Sequence, residues 1–152
     1  MKTAIDKIDS QIVRLLQKNG RLPNTEIAKS LGISESTIRT RLNRLISKGV
    51  ISITAIGNPA CLGFDVIGIF MITIDHKKTD SVIEELNKIH ELWYIAHTAG
   101  AADFFIEFSV KSLAHLDRLL SKIHSIEGIK QVNTSFLRKN IRASYGWWPD
   151  GE

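Results

Sequence analysis

Apolar residues in the first fifty positions recur at helical spacing. Ile5, Ile8, Ile12, Leu15 and Leu16 predict one helix, and Asn19-Gly20 predicts its end through a left-handed cap. Ile27, Ala28 and Leu31 mark a short second helix, with Asn24 or Thr25 expected to cap it behind Pro23 and Gly32 to stop it. Ser34 is the expected cap of a third helix that runs to Lys48-Gly49. At about 100° per residue, Ile38, Leu42, Leu45 and Ile46 form one stripe of that helix. Ser36, Thr40, Asn43, Arg44 and Ser47 fall roughly opposite, Thr37 lies beside them, and Arg39 and Arg41 flank the stripe. A short helix, a Gly32-Ile33-Ser34 turn and an amphipathic helix make a helix-turn-helix order, and small Ala28 lets the two helices approach.

The texture changes after Val50. Ile51, Ile53 and Ile56 suggest a short strand, and Asn58-Pro59 with Gly63 reads as a linker. VIGIFMITI (66–74) predicts a buried strand. Residues 80–90 carry Val82, Ile83, Leu86 and Ile89 at helical spacing. LWYIAHTA (92–99) and DFFIEFSV (103–110) predict two strands of a hairpin turning at Gly100-Ala101-Ala102. Leu116, Leu119, Leu120 and Ile123 predict a helix over 113–126, Gly128 breaks it, and Val132 and Phe136 mark a last strand over 129–137. The order βαββαβ is the split-βαβ, ferredoxin-like pattern. The fold class is therefore α+β: residues 1–50 form the helix-turn-helix domain, 51–64 a hinge strand and linker, 65–140 the βαββαβ domain, and 141–152 a tail. Two helices cover one face of the sheet, so the other is expected to be covered by a second copy of the chain, in a homodimer.

Charge sharpens this picture. The first fifty of the 152 residues hold ten Lys/Arg against four Asp/Glu, a net +6 within a total of +4, so the remainder is −2. A basic helix-turn-helix joined to a near-neutral domain predicts double-stranded DNA as partner. Ser34, Ser36, Thr37, Thr40, Asn43 and Arg44 are the residues expected to face it, since hydroxyls, amides and guanidinium groups meet base edges and phosphates. Arg39 and Arg41 suit phosphates, unless one braces the fold. Asn24 and Thr25, at the start of the second helix, offer backbone N–H groups to phosphate. Two such helices in a dimer imply a roughly palindromic operator.

Other chemistry finds little footing. The single cysteine, Cys61, forms no intrachain disulfide and excludes Cys-based zinc fingers. The five histidines are scattered and no HExxH occurs, so no metal site is expected. There is no P-loop, no GxGxxG and no nucleophile–base set, so no cofactor and no catalytic residue is expected. No apolar run approaches the ~20 residues that span a bilayer, and MKTAIDKIDS lacks an apolar signal segment. A cytoplasmic protein without membrane partners is expected. Trp147-Trp148 in the tail either packs on a neighbouring subunit or folds back on its own domain.

Taken together, IDKIDSQIVRLLQKNGR (5–21), NTEIAKSLGISESTIRTRLNRLISKGVI (24–51), NPACLGFDV (58–66) and TAGAADFFIEF (98–108) resemble the Lrp/AsnC family of transcriptional regulators. The resemblance implies a winged-type helix-turn-helix, an ACT-like effector domain, dimers that often assemble into octamers, and a small amino acid bound where dimers meet. The family's glycine-x-x-aspartate signature corresponds to Gly100-Ala101-Ala102-Asp103. There, backbone N–H groups of the turn suit a carboxylate, and Asp103 suits an amino group. The two alanines replace the charged and aromatic residues that family members commonly carry. Some proteins similar to this family are decarboxylases of sirohaem, with extra His and Arg around the hairpin. Here 94–100 reads YIAHTAG, without Arg, and that enzyme stays the alternative to a regulator. A helix-turn-helix used only for protein contacts is disfavoured by the polar face of residues 34–44.

Overall fold

Asp6 has extended backbone (φ −93°, ψ 177°) just before the first helix, α1 (Lys7–Lys18). Its carboxylate accepts from the Asp9 N–H at 2.9 Å, and the Asp9 carboxylate accepts from the Asp6 N–H at 3.2 Å. This reciprocal box satisfies donors that a helix start leaves open. The computed structural model describes residues 5–141, so the expectations for Trp147-Trp148 lie outside the described residues. The chain divides into two units at Ile56/Gly57.

In the first unit α1 is followed by α2 (Asn24–Leu31) and α3 (Glu35–Ser47). Ile12, Leu16, Ile27, Ala28 and Ile38 make its core. Gly32 has φ +67°, the left-handed conformation that ends α2 and turns the chain into α3. Ser34 caps α3 by accepting from the Thr37 N–H at 3.2 Å. Three expectations fail here. Asn19 is extended (φ −148°) rather than left-handed, and its side chain accepts from the Arg21 N–H instead. Pro23, not Asn24 or Thr25, holds the cap position of α2, and no side chain caps that helix. Ile46 is exposed, because the buried seam of α3 is narrower than its apolar stripe. Residues 51–58 also form no strand, and Ile53 and Ile56 are exposed. A lone strand leaves its backbone donors unpaired, and the described chain offers it no neighbour.

The second unit runs β1 (Val66–Ile74), α4 (Thr79–Asn87), β2 (Leu92–His97), β3 (Phe104–Val110), α5 (Leu113–His124) and β4 (Ile129–Phe136). The strands form one antiparallel sheet in the order β2-β3-β1-β4, as a split-βαβ fold requires. Every second residue of β1 (Phe70, Ile72, Ile74) and of β3 (Phe104, Ile106, Phe108) joins Val82 and Leu86 of α4 and Leu116, Leu119 and Ile123 of α5 in the core. Gly68 is required: a Cβ there would meet the Ser135 carbonyl oxygen at 2.4 Å and the Phe108 ring at 2.6 Å. The Phe108 ring stacks on Phe70 at 4.2 Å. The alternate residues, including Ile69, Met71, Phe105 and Glu107, lie on the face without helices and are only partly buried.

Candidate functional site

The exposed face of α3 carries Ser36, Thr37, Thr40 and Asn43, with Arg39 beside them. The Ser34 hydroxyl lies 2.9 Å from that of Ser36 and 2.8 Å from that of Thr37, a cluster of hydroxyls at the helix start. The Thr40 hydroxyl donates to the Ser36 carbonyl at 3.0 Å. Arg39 pairs with Glu35 one turn earlier at 2.6 Å, its side chain 63% exposed. At the start of α2, Asn24 and Thr25 present backbone N–H groups without a partner among the described residues.

The other two arginines of α3 are placed differently. Arg41 donates to Asp6 at 2.6 Å and to Asp9 at 3.0 Å, and Arg44 donates to the other oxygen of Asp9. Asp9 is fully buried. The pair of guanidinium groups neutralises that carboxylate and clamps α3 onto α1. The Asp6 carboxyl is held below its usual range by the Asp9 N–H bond and then by Arg41. Asp6 in turn, with Asp9, raises the affinity of Arg41 for its proton. The helical angle alone had put Arg44 squarely on the outward face. In the structure its guanidinium turns back to Asp9, leaving the side chain 40% exposed, with its Nε buried and unpartnered. Arg41 is the brace that one of the flanking arginines was expected to be. A cleft of about 430 Å³ between α1 and α3 is lined by Asp6, Ser36, Thr37, Thr40, Arg41 and Arg44.

In the second unit the β2–β3 hairpin is closed by the Thr98 N–H on the Asp103 carbonyl (2.8 Å) and the Thr98 hydroxyl on the Ala102 carbonyl (2.7 Å). Gly100 and Ala101 are exposed, and Ala102 is buried. The Asp103 carboxylate accepts from the Ile74 N–H at 2.8 Å and lies 3.7 Å from His76. It therefore ties the hairpin to the end of β1, a duty the sequence did not reveal. A cavity of about 430 Å³ opens beside the hairpin, lined by Gly100, Ala101 and Ala102 with Met71, Tyr94, Ala96, Phe105 and Glu107. Burial pushes the Glu107 carboxyl up from its usual range. The sequence carried one signal for Glu107: it is the single charge within the apolar strand FFIEFSV (104–110).

Residues 5–52 match the winged helix-turn-helix DNA-binding family, and residues 67–147 match the Lrp/AsnC ligand binding domain. The chain belongs to the Lrp/AsnC family. It is 38% identical over 138 residues to an uncharacterised HTH-type transcriptional regulator of Pyrococcus horikoshii, covering 90% of this chain and 87% of that one. It is 32% identical over 142 residues to the regulatory protein AsnC of Haemophilus influenzae, covering 90% and 93%. Escherichia coli AsnC superposes with a TM-score of 0.84 at 28% identity, over 93% of this chain and 97% of that one. A Neisseria meningitidis transcriptional regulator, solved in complex with L-Met, shares the fold with a TM-score of 0.88 at 21% identity, over 97% and 98%. This Lrp/AsnC chain is thus a DNA-binding transcriptional regulator. The sirohaem-decarboxylase alternative finds no support, since the matched families and relatives are regulators rather than enzymes. Among the described residues no helix is long and apolar enough to cross a membrane.

Proposed function

We propose that the chain acts as a homodimer that reads a pseudo-palindromic operator with two copies of α3 and responds to a small amino acid held at the β2–β3 hairpin. The observation that carries the DNA part is the exposed face of Ser36, Thr37, Thr40 and Asn43 on a helix anchored from behind by Asp9. Anchoring fixes the helix, and the exposed side chains supply the hydrogen bonds that discriminate base pairs. Ser34 and Arg39 flank that face, and the open N–H groups of Asn24 and Thr25 suit a phosphate. Arg41 and Arg44 act mainly by holding α3, and their remaining exposed edges add positive charge next to the backbone.

The half-exposed apolar face of the sheet is the surface for a second copy. Assembly beyond the dimer, towards an octamer, follows the family pattern, and so does the effector site at subunit contacts. The effector reading rests on the hairpin N–H groups opening into a cavity of about 430 Å³. Hydroxyl-radical footprinting on DNA upstream of the protein's own gene tests the dimeric mode. Two protected patches about one helical turn (~34 Å) apart are expected. A single protected patch, or even protection along the fragment, contradicts it.

A further inference from the structure

Asp6 is an acid placed beside the helix face proposed to meet a polyanion. Its side chain is 53% exposed and shares a cleft with Ser36, Thr37 and Thr40 of α3. A carboxylate there opposes an approaching phosphate unless it has another task. Capping α1 is one task, but asparagine or serine does that equally well without a charge. The charge has a different object, Arg41.

Every arginine of α3 has a carboxylate of its own chain as partner, and the pairs are unequal. Arg39 and Glu35 lie one turn apart, 63% and 40% exposed, a pair that solvent or a phosphate opens at little cost. Arg41 is only 25% exposed, and its Nη1 donates both to Asp6 at 2.6 Å and to Asp9 at 3.0 Å. Arg44 takes the second oxygen of Asp9. Two guanidinium groups thus face two carboxylates, and the four charges cancel. Without the charge of Asp6, both guanidinium groups depend on the carboxylate of Asp9. One positive charge per subunit is then unmatched, at the cleft that Ser36, Thr37 and Thr40 also line.

We infer that Asp6 is a positioning residue that holds Arg41 off the DNA backbone and so restrains sequence-independent binding. This rests on the reading of α3 as the helix that contacts DNA. Phosphate contacts carry no sequence information, and non-specific affinity is essentially all electrostatic. A cation withheld from phosphate weakens binding to every sequence alike. The base contacts of the exposed α3 face then make up a larger share of the affinity.

The test is fluorescence anisotropy of the full chain on a duplex of scrambled sequence, across a salt series. Asp6→Asn and Asp6→Ser keep the cap of α1, so their helical circular dichroism and urea midpoint should stay near the parent's. Both should bind the scrambled duplex at least about three-fold tighter than the parent at ~50 mM salt. The fall of log affinity with log salt should steepen by about 0.9 per subunit engaged. Neither gain should appear when Asp6→Asn is made in an Arg41→Gln chain. Affinity and slope equal to the parent's, or weaker binding with a lower urea midpoint, make Asp6 a structural cap alone and overturn the assignment. A gain that persists in the Arg41→Gln chain shows Asp6 acting by its own repulsion of DNA, and that overturns it as well. A parent that binds no DNA even at the lowest salt removes the α3 reading and the assignment with it.

Discussion

Replacing Asp9 by alanine should damage the DNA-binding unit more than any other single change to its polar residues. Asp9 is fully buried and accepts three hydrogen bonds, from Arg41, Arg44 and the Asp6 N–H. Truncation strips two cations of a buried partner and opens the reciprocal cap of α1. Breaking a buried pair costs roughly 3–5 kcal/mol. The arginine side chains are 25% and 40% exposed, so they recover part of their hydration. The lost cap adds about 1 kcal/mol. The expected net is about 3 kcal/mol, or roughly 15 °C in Tm for a domain of this size. Urea unfolding followed by circular dichroism at constant m-value measures it. A double-mutant cycle with Arg44→Met adds the sharper check: the Asp9→Ala cost should shrink by at least about 1 kcal/mol when Arg44 is absent. A loss below about 0.5 kcal/mol, or additive costs, would refute the clamp.

Further outcomes follow from the same geometry. Asn43→Ala should weaken operator binding by about 1–3 kcal/mol with the urea midpoint unchanged. Arg44→Ala should lower both quantities, and the pair of variants separates a reading residue from an anchoring one. Gly68→Ala should destabilise the sheet unit by roughly 1–3 kcal/mol, because the added methyl meets the β4 backbone and the Phe108 ring; an unchanged Tm would contradict that packing. The His115 ring, 3.1 Å from Glu91, holds that carboxyl below its ordinary value of 4.5. A depressed acid contributes stability above its unfolded pKa and loses it as the pH falls through its folded one. His115→Phe should therefore flatten the fall in urea midpoint below pH 4.5, and an identical acid profile would dismiss the pair.

The elements were legible because each carries its own period. VIGIFMITI spans β1 from Val66 to Ile74 because its residues form the middle of the sheet and are apolar on both faces. Ser34 and Gly32 announced the turn because their roles are local. What stayed hidden depends on contacts between distant residues. Asp9 and Arg44 are 35 positions apart, and a helical wheel gives the direction in which a side chain leaves the axis, not the direction in which a long guanidinium bends back. Asp103 reads as a solvated turn acid until β1 brings the Ile74 N–H beneath it. The strand expected at 51–56 has the right residues and no neighbour among the described residues.

The exposed face of α3 is the part of the molecule proposed to read DNA sequence. Fluorescence anisotropy on the DNA upstream of the protein's own gene, against a scrambled fragment of equal length across a salt series, decides whether it does. A preference of about 10³ or more for the upstream fragment is expected. Log affinity should fall linearly with log salt, at about 0.9 unit per phosphate contacted. Equal affinity for the two fragments at every salt concentration would contradict it.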